Sequence, residues 1–179
     1  MPINIGTRTT PILHPLRPTS NAQRPPKNMT TTHPTRVTHS YTQHIMAAPE
    51  VVFPLLCPEL EREWVPGWDP TWIQSTSGVA EEDCVFATDD EHGQSVWVIT
   101  DHRPSTYVRM YKLTPGLVLT RLDITLRPRG ADATSADVSY SYTALSEAGT
   151  AWIAERTADW YVRFMEEWEE AMNRFLSKN

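Results

Sequence analysis

Thr150–Asn179 reads TAWIAERTADWYVRFMEEWEEAMNRFLSKN, and this stretch decides the fold. Ile153, Thr157, Trp160, Phe164, Trp168, Ala171 and Phe175 recur every three or four residues, which places them on one face of a helix. Glu155, Asp159, Arg163, Glu166, Glu167, Glu169, Glu170 and Arg174 take the opposite face. Read as one helix from Thr150 to Phe175, it would run about 39 Å at 1.5 Å per residue, enough to cross a small domain. Ser146 is placed to cap its start, with Glu147 and Gly149 in the first turn.

Upstream of that helix the chain reads mostly as strands. Val37–Met46 is β-prone. Pro49 then opens a helical stretch over Ala48–Glu63, which Pro54 and Pro58 should break into two short pieces. Strand segments follow at Trp68–Ser77, Asp83–Thr88, Ser95–Asp101, Tyr107–Leu113, Leu117–Leu126 and Ala136–Leu145. They are separated by Gly- and Pro-bearing turns such as Thr114-Pro115-Gly116. Short connections favour antiparallel hairpins, so the order predicts an α+β domain in which a curved sheet closes on the C-terminal helix.

The N-terminal residues read differently. Residues 1–36 hold seven of the fifteen prolines and five basic side chains (Arg8, Arg17, Arg24, Lys27, Arg36) with no acid. The whole chain is −6, so residues 37–179 carry −11. We read 1–36 as a disordered basic leader lacking apolar periodicity: a basic arm for an anionic partner, a targeting segment or, the favoured reading, an extension from an upstream start codon with Met29 as the true start. Residues 37–179 form the folded domain. Its acidity argues against nucleic acid as a partner. No run of about 18 apolar residues occurs, so no membrane span is expected. Cys57 and Cys84 give neither a zinc spacing nor a disulfide framework, and as buried thiols they suit a reducing cytoplasm.

FPLLCPELEREWVPGW at Phe53–Trp68, SGVAEEDCVFAT at Ser77–Thr88, TPGLVLTRLDITL at Thr114–Leu126 and YTALSEAG at Tyr142–Gly149 carry a resemblance. Together they resemble a bacterial branch of the SRPBCC superfamily, which includes START-like lipid-transfer domains, polyketide cyclases and dehydrases, and plant helix-grip proteins. The resemblance spans roughly residues 40–178. It implies a helix-grip fold: about seven antiparallel strands around the C-terminal helix, with a pocket between and two short helices after the first strand. Asp83 stands where the family pattern leads us to expect a glycine. No catalytic position carries over to this chain.

Ten aromatic side chains are candidates for the pocket: Trp68, Trp72, Trp97, Tyr107, Tyr111, Tyr140, Tyr142, Trp160, Phe164 and Trp168. Tyr and Trp join an apolar body to a hydrogen-bonding tip, which suits a hydrophobic ligand with a few polar groups. Tyr140 and Tyr142 share one strand face, as do Tyr107 and Tyr111. Arg121 and Asp123 lie opposite the apolar series Val118, Thr120, Leu122, Ile124 and Leu126. With Arg109 they therefore read as a charged ladder on the solvent side of the sheet. Glu61 and Glu63 read as solvated, or as helix–sheet contacts. The histidines show no metal-ligand spacing, no glycine loop cradles phosphate, and no nucleophile–base order stands out, so no metal or cofactor is expected.

Three functions remain open. The first is a carrier or sequestering protein for a hydrophobic or aromatic (lipid- or polyketide-like) molecule. The second is a cyclase- or aromatase-type enzyme working in the same cavity. The third is an interaction module related to heat-shock ATPase co-chaperones.

Overall fold

The computed structural model describes residues 35–178. All of the leader except Thr35 and Arg36 lies outside the described residues, and Arg36 opens the first strand.

Seven strands form one antiparallel sheet: β1 Arg36–Ile45, β2 Thr71–Gln74, β3 Val85–Asp90, β4 Gly93–Arg103, β5 Tyr107–Thr114, β6 Val118–Pro128 and β7 Thr134–Ala144. Their spatial order is β1-β7-β6-β5-β4-β3-β2, so β2 through β7 meander and the chain's first strand pairs with its last. Strict alternation builds the two faces. Along β6, Val118, Thr120, Leu122, Ile124 and Leu126 are buried while the residues between them are half-exposed. β7 repeats this with Ala136, Val138, Tyr140, Tyr142 and Ala144 inward.

On the other face Arg109 and Arg121 converge on Asp123, at 2.6 and 2.8 Å. Tyr107 donates its hydroxyl to the same carboxylate. Burial pushes the Asp123 carboxyl up, but the hydrogen bonds from Tyr107 and Arg109 outweigh it and hold it below the usual range. The Tyr107 phenol is pushed up to about 12, first by burial and then by that bond. The charged ladder therefore lies on the outer face, where the β6 alternation placed it.

Between β1 and β2 the helical stretch breaks, as expected, into two short α-helices, with a 3-10 turn between them. These are α1 Pro49–Val52, a 3-10 turn Phe53–Leu56 and α2 Pro58–Glu61. Each carries proline at its first or second position, and Pro54 and Pro58 also end the turn before their own. Trp64 and Trp68 tie this region together by donating their indole N–H groups to the Leu55 and Pro58 carbonyls, at 2.9 and 2.8 Å. Asp83 adopts φ +65°, the left-handed conformation that a glycine would take without strain.

The C-terminal stretch corrects the single-helix expectation. It folds as α3 Glu147–Ala154 and α4 Ala158–Leu176. Thr157 does not sit on the apolar face. It caps α4, its hydroxyl oxygen accepting the Trp160 N–H at 3.2 Å, with Asp159 in the first turn. Ser146 caps α3 in the same way, accepting from the Gly149 N–H at 3.0 Å. α3 passes so close to the β5–β6 turn that a Cβ on Gly149 would lie 1.9 Å from the Leu117 carbonyl oxygen.

The face of α4 that is most deeply buried also differs from the expected one. Tyr161, Met165 and Met172 are fully buried, while Trp160, Phe164 and Trp168 are half-buried beside them. The helix docks along edge strand β1. Gln43 donates to the Met165 carbonyl at 2.9 Å, the His44 N–H donates to Glu169, and Asn173 bridges His44 and Met46. Glu169 and Asn173 thus take up backbone groups that an edge strand would otherwise leave open. No helix among the described residues is long and apolar enough to cross a membrane.

Candidate functional site: an aromatic cavity under the C-terminal helix

Because α4 rests on β1, its other flank stands off the middle of the sheet and leaves a cavity of about 340 Å³. The floor comes from strands: Trp97 of β4, Met110 and Lys112 of β5, Thr120 and Leu122 of β6, and Tyr140 and Tyr142 of β7. Trp152, Arg156, Trp160, Phe164 and Trp168 form the roof, and Glu61, Val65 and Trp68 close one side. The half-buried stripe on α4 is thus the cavity face of that helix, while the fully buried stripe is its packing face.

Seven of the ten aromatic candidates meet here: Trp68, Trp97, Tyr140, Tyr142, Trp160, Phe164 and Trp168. They brace one another. Trp160 stacks on Phe164 at 5.1 Å, Phe164 leads to Trp168 at 5.5 Å, and Tyr140 stacks on Tyr142 at 5.8 Å. Trp68 meets Trp97 edge to face at 5.8 Å. The structure places the other three elsewhere. Trp72 packs on Phe86 from edge strand β2. Tyr107 and Tyr111 lie on the outer sheet face, where Tyr107 binds Asp123 and Tyr111 stands opposite Arg121.

The cavity also holds polar groups that the aromatic pattern does not announce. Glu61 is 5% exposed, which overturns the solvated alternative of its reading. It lies on the cavity side of α2, and burial alone pushes its carboxyl up to about 8. A carboxylic acid is therefore held protonated at neutral pH. Tyr140 lies within electrostatic reach of Glu61, and burial drives both the Tyr140 and the Tyr142 phenols well above their ordinary range. Neither phenol titrates under ordinary conditions.

Arg156 stands at the junction of α3 and α4. Its Nη1 donates to the Trp152 carbonyl at 2.8 Å, and its guanidinium lies 3.3 Å from the centre of the Trp152 ring and 5.4 Å from that of Trp160. Two neighbours fix this junction. His39 donates from Nε2 to the Arg156 carbonyl at 2.8 Å, and stacks on Tyr161 at 5.3 Å. Tyr161 in turn donates to the Val138 carbonyl at 3.0 Å. Lys112 pairs with Asp90 at 3.2 Å and lies over the Trp97 ring.

Sequence reasoning missed Glu61, Arg156, Trp152 and Lys112. Lys112 was within reach, since it shares a strand face with Met110. Arg156 was obscured by the helix break that sets its direction. A second hollow of about 260 Å³, lined by Phe53, Leu56, Cys57, His102 and Val108 among others, is almost wholly apolar, with His102 its one charged-type side chain. The first cavity joins aromatic walls to a few placed polar groups, the usual composition of a ligand site.

A curved antiparallel sheet gripping a long C-terminal helix over such a cavity defines a helix-grip protein, and solved structures agree. Norcoclaurine synthase from Thalictrum flavum superposes with a TM-score of 0.62 at 10% identity, covering 96% of this chain and 100% of that one. Another structure of that enzyme holds dopamine and hydroxybenzaldehyde. A protein of unknown function from Staphylococcus aureus gives 0.60 at 12% identity, over 82% and 96% of the two chains. An uncharacterized protein from Rhizobium leguminosarum gives 0.57 at 12%, over 82% and 97%. At these identities the likeness is one of fold. No family model and no curated protein sequence matches the chain.

Proposed function

We propose that this chain is an SRPBCC-type carrier or sequestering protein that holds a hydrophobic or aromatic small molecule between sheet and C-terminal helix. One observation carries the reading: seven mutually braced aromatic side chains from four parts of the fold line one cavity of about 340 Å³. A ligand burying on the order of 300 Å² of apolar surface there would gain about 7 kcal/mol before entropic costs. That norcoclaurine synthase, which shares the fold, forms a complex with two small aromatic molecules supports this class of ligand. The net charge of −6 speaks against a nucleic-acid partner, and the free, buried Cys57 and Cys84 support a reducing compartment such as the cytoplasm.

The test is native mass spectrometry of the purified chain, followed by solvent extraction. A stoichiometric apolar passenger is expected. A chain that carries none and takes up no apolar aromatic probe would overturn the reading.

A cyclase-type enzyme is the second reading, and Glu61 is the observation that favours it. A buried, protonated carboxyl on the cavity wall is the group that general acid catalysis needs. Turnover of an extracted passenger, lost in Glu61→Gln, would separate enzyme from carrier. The co-chaperone-like reading would need a filled cavity and a surface patch, and the open cavity lends it no support.

A further inference from the structure

Four residues with ionisable side chains other than tyrosine line the cavity: Glu61, Asp90, Lys112 and Arg156. Asp90 and Lys112 neutralise each other at 3.2 Å. Glu61 is buried and holds its proton, so it brings no negative charge. One positive charge is left over, on Arg156.

Nothing inside the cavity answers that charge. The nearest acid is Glu155, 3.5 Å from Nη1, but its side chain is 78% exposed while that of Arg156 is 18% exposed. Water therefore screens most of the pairing. Burial lowers the Arg156 pKa despite that neighbour, and Nε is buried with no hydrogen-bond acceptor. The side chain is nevertheless fixed, sandwiched against Trp152 and tied to its carbonyl. A preorganised, partly desolvated guanidinium with no interior counter-ion is costly by itself and suited to pair with an incoming anion. The walls around it are aromatic.

We infer that the ligand is an aromatic molecule bearing one anionic group, a carboxylate or a comparable acid, which pairs with Arg156 while its rings lie between Tyr140, Tyr142, Trp160 and Phe164. This rests on the cavity being a binding site, as proposed above.

Two fluorescent probes that differ only by a sulfonate test the charge separately from the cavity: 1-anilinonaphthalene-8-sulfonate and the neutral N-phenyl-1-naphthylamine. Both are titrated into the full chain, and each is used to displace the other, so that one shared site is established. Arg156→Met is expected to weaken the sulfonate probe by at least about tenfold while the neutral probe changes by less than about twofold. Arg156→Lys keeps a charge without the planar fork and should recover most of the loss. That recovery separates charge from packing at the α3–α4 junction.

Equal weakening of both probes by Arg156→Met would overturn the inference, as would a wild-type protein that binds only the neutral probe. In the second case the cavity reading would stand alone. If the wild type bound neither probe saturably, the cavity reading would fail and this inference with it.

Discussion

Glu61→Gln should change how stability depends on pH. In the fold, burial raises the Glu61 carboxyl from its ordinary 4.5 to about 8. Between those values the unfolded chain has released this proton and the folded chain has kept it, so raising the pH favours unfolding. The contribution is fully present below the unfolded pKa and is lost as pH rises through the folded one. Each pH unit in that window removes about 1.4 kcal/mol, and the whole window about 5 kcal/mol.

Glutamine has nearly the same shape and cannot ionise. Whatever its amide costs in the cavity is the same at both ends of the window. The other titrating groups contribute equally to both proteins. Tyr140, which feels the Glu61 charge, stays neutral throughout because burial raises its phenol. Urea unfolding of both proteins at about pH 5.5 and about pH 7.5 therefore isolates Glu61. Wild type should lose about 3 kcal/mol more than Glu61→Gln across that interval. Parallel losses in the two proteins would mean that Glu61 is ionised in the fold, and would refute its placement as a protonated cavity group.

Further substitutions test the scaffold and the roof. Phe164→Ala removes a half-buried ring that braces both Trp160 and Trp168; it should weaken N-phenyl-1-naphthylamine binding several-fold, as fluorescence titration would show, while the far-ultraviolet circular dichroism is unchanged. Gly149→Ala puts a methyl group 1.9 Å from the Leu117 carbonyl oxygen, so α3 must shift; urea unfolding should show a loss of more than about 2 kcal/mol. Thr157→Ala removes the α4 cap and should cost about 1 kcal/mol by the same assay, with Thr157→Ser recovering most of it.

The fold was readable because its periodicities are clean. The β6 series Val118 to Leu126 alternates without a fault, so both its buried face and its charged face follow from the residues alone. The Ser146 cap and the Pro-punctuated turns were equally local, whereas the covering of β1 by α4 shows only in the assembled fold.

The break before α4 was harder to see. Ile153, Thr157 and Trp160 continue the helical spacing across it, and only Thr157 followed by Asp159 marks a new N-terminus. The same break moved the packing face of α4 onto Tyr161, Met165 and Met172, a series at equally good helical spacing. In the site, the aromatic residues announced themselves by number and facing. Tyr107 and Tyr111 show the limit of that signal: aromatic character marked them for the pocket, although they share a β5 face with the solvent-side Arg109 while Val108 and Met110 turn inward. Glu61 and Arg156 were illegible for another reason. Charged residues on a short helix and at a helix junction are ordinarily solvated, and only the neighbouring elements reveal that these two line the cavity.

The seven tryptophans allow the most direct measurement. Trp68, Trp97, Trp152, Trp160 and Trp168 line the cavity, whereas Trp72 packs at the far sheet edge. Nitrogen-15 NMR of the indole N–H signals should be recorded while N-phenyl-1-naphthylamine is added to saturation. Binding in the cavity requires that the Trp160 and Trp168 signals move with a single saturating dependence while Trp72 stays in place. Movement of Trp72 with Trp160 and Trp168 unchanged would place the ligand elsewhere and contradict the cavity as the binding site.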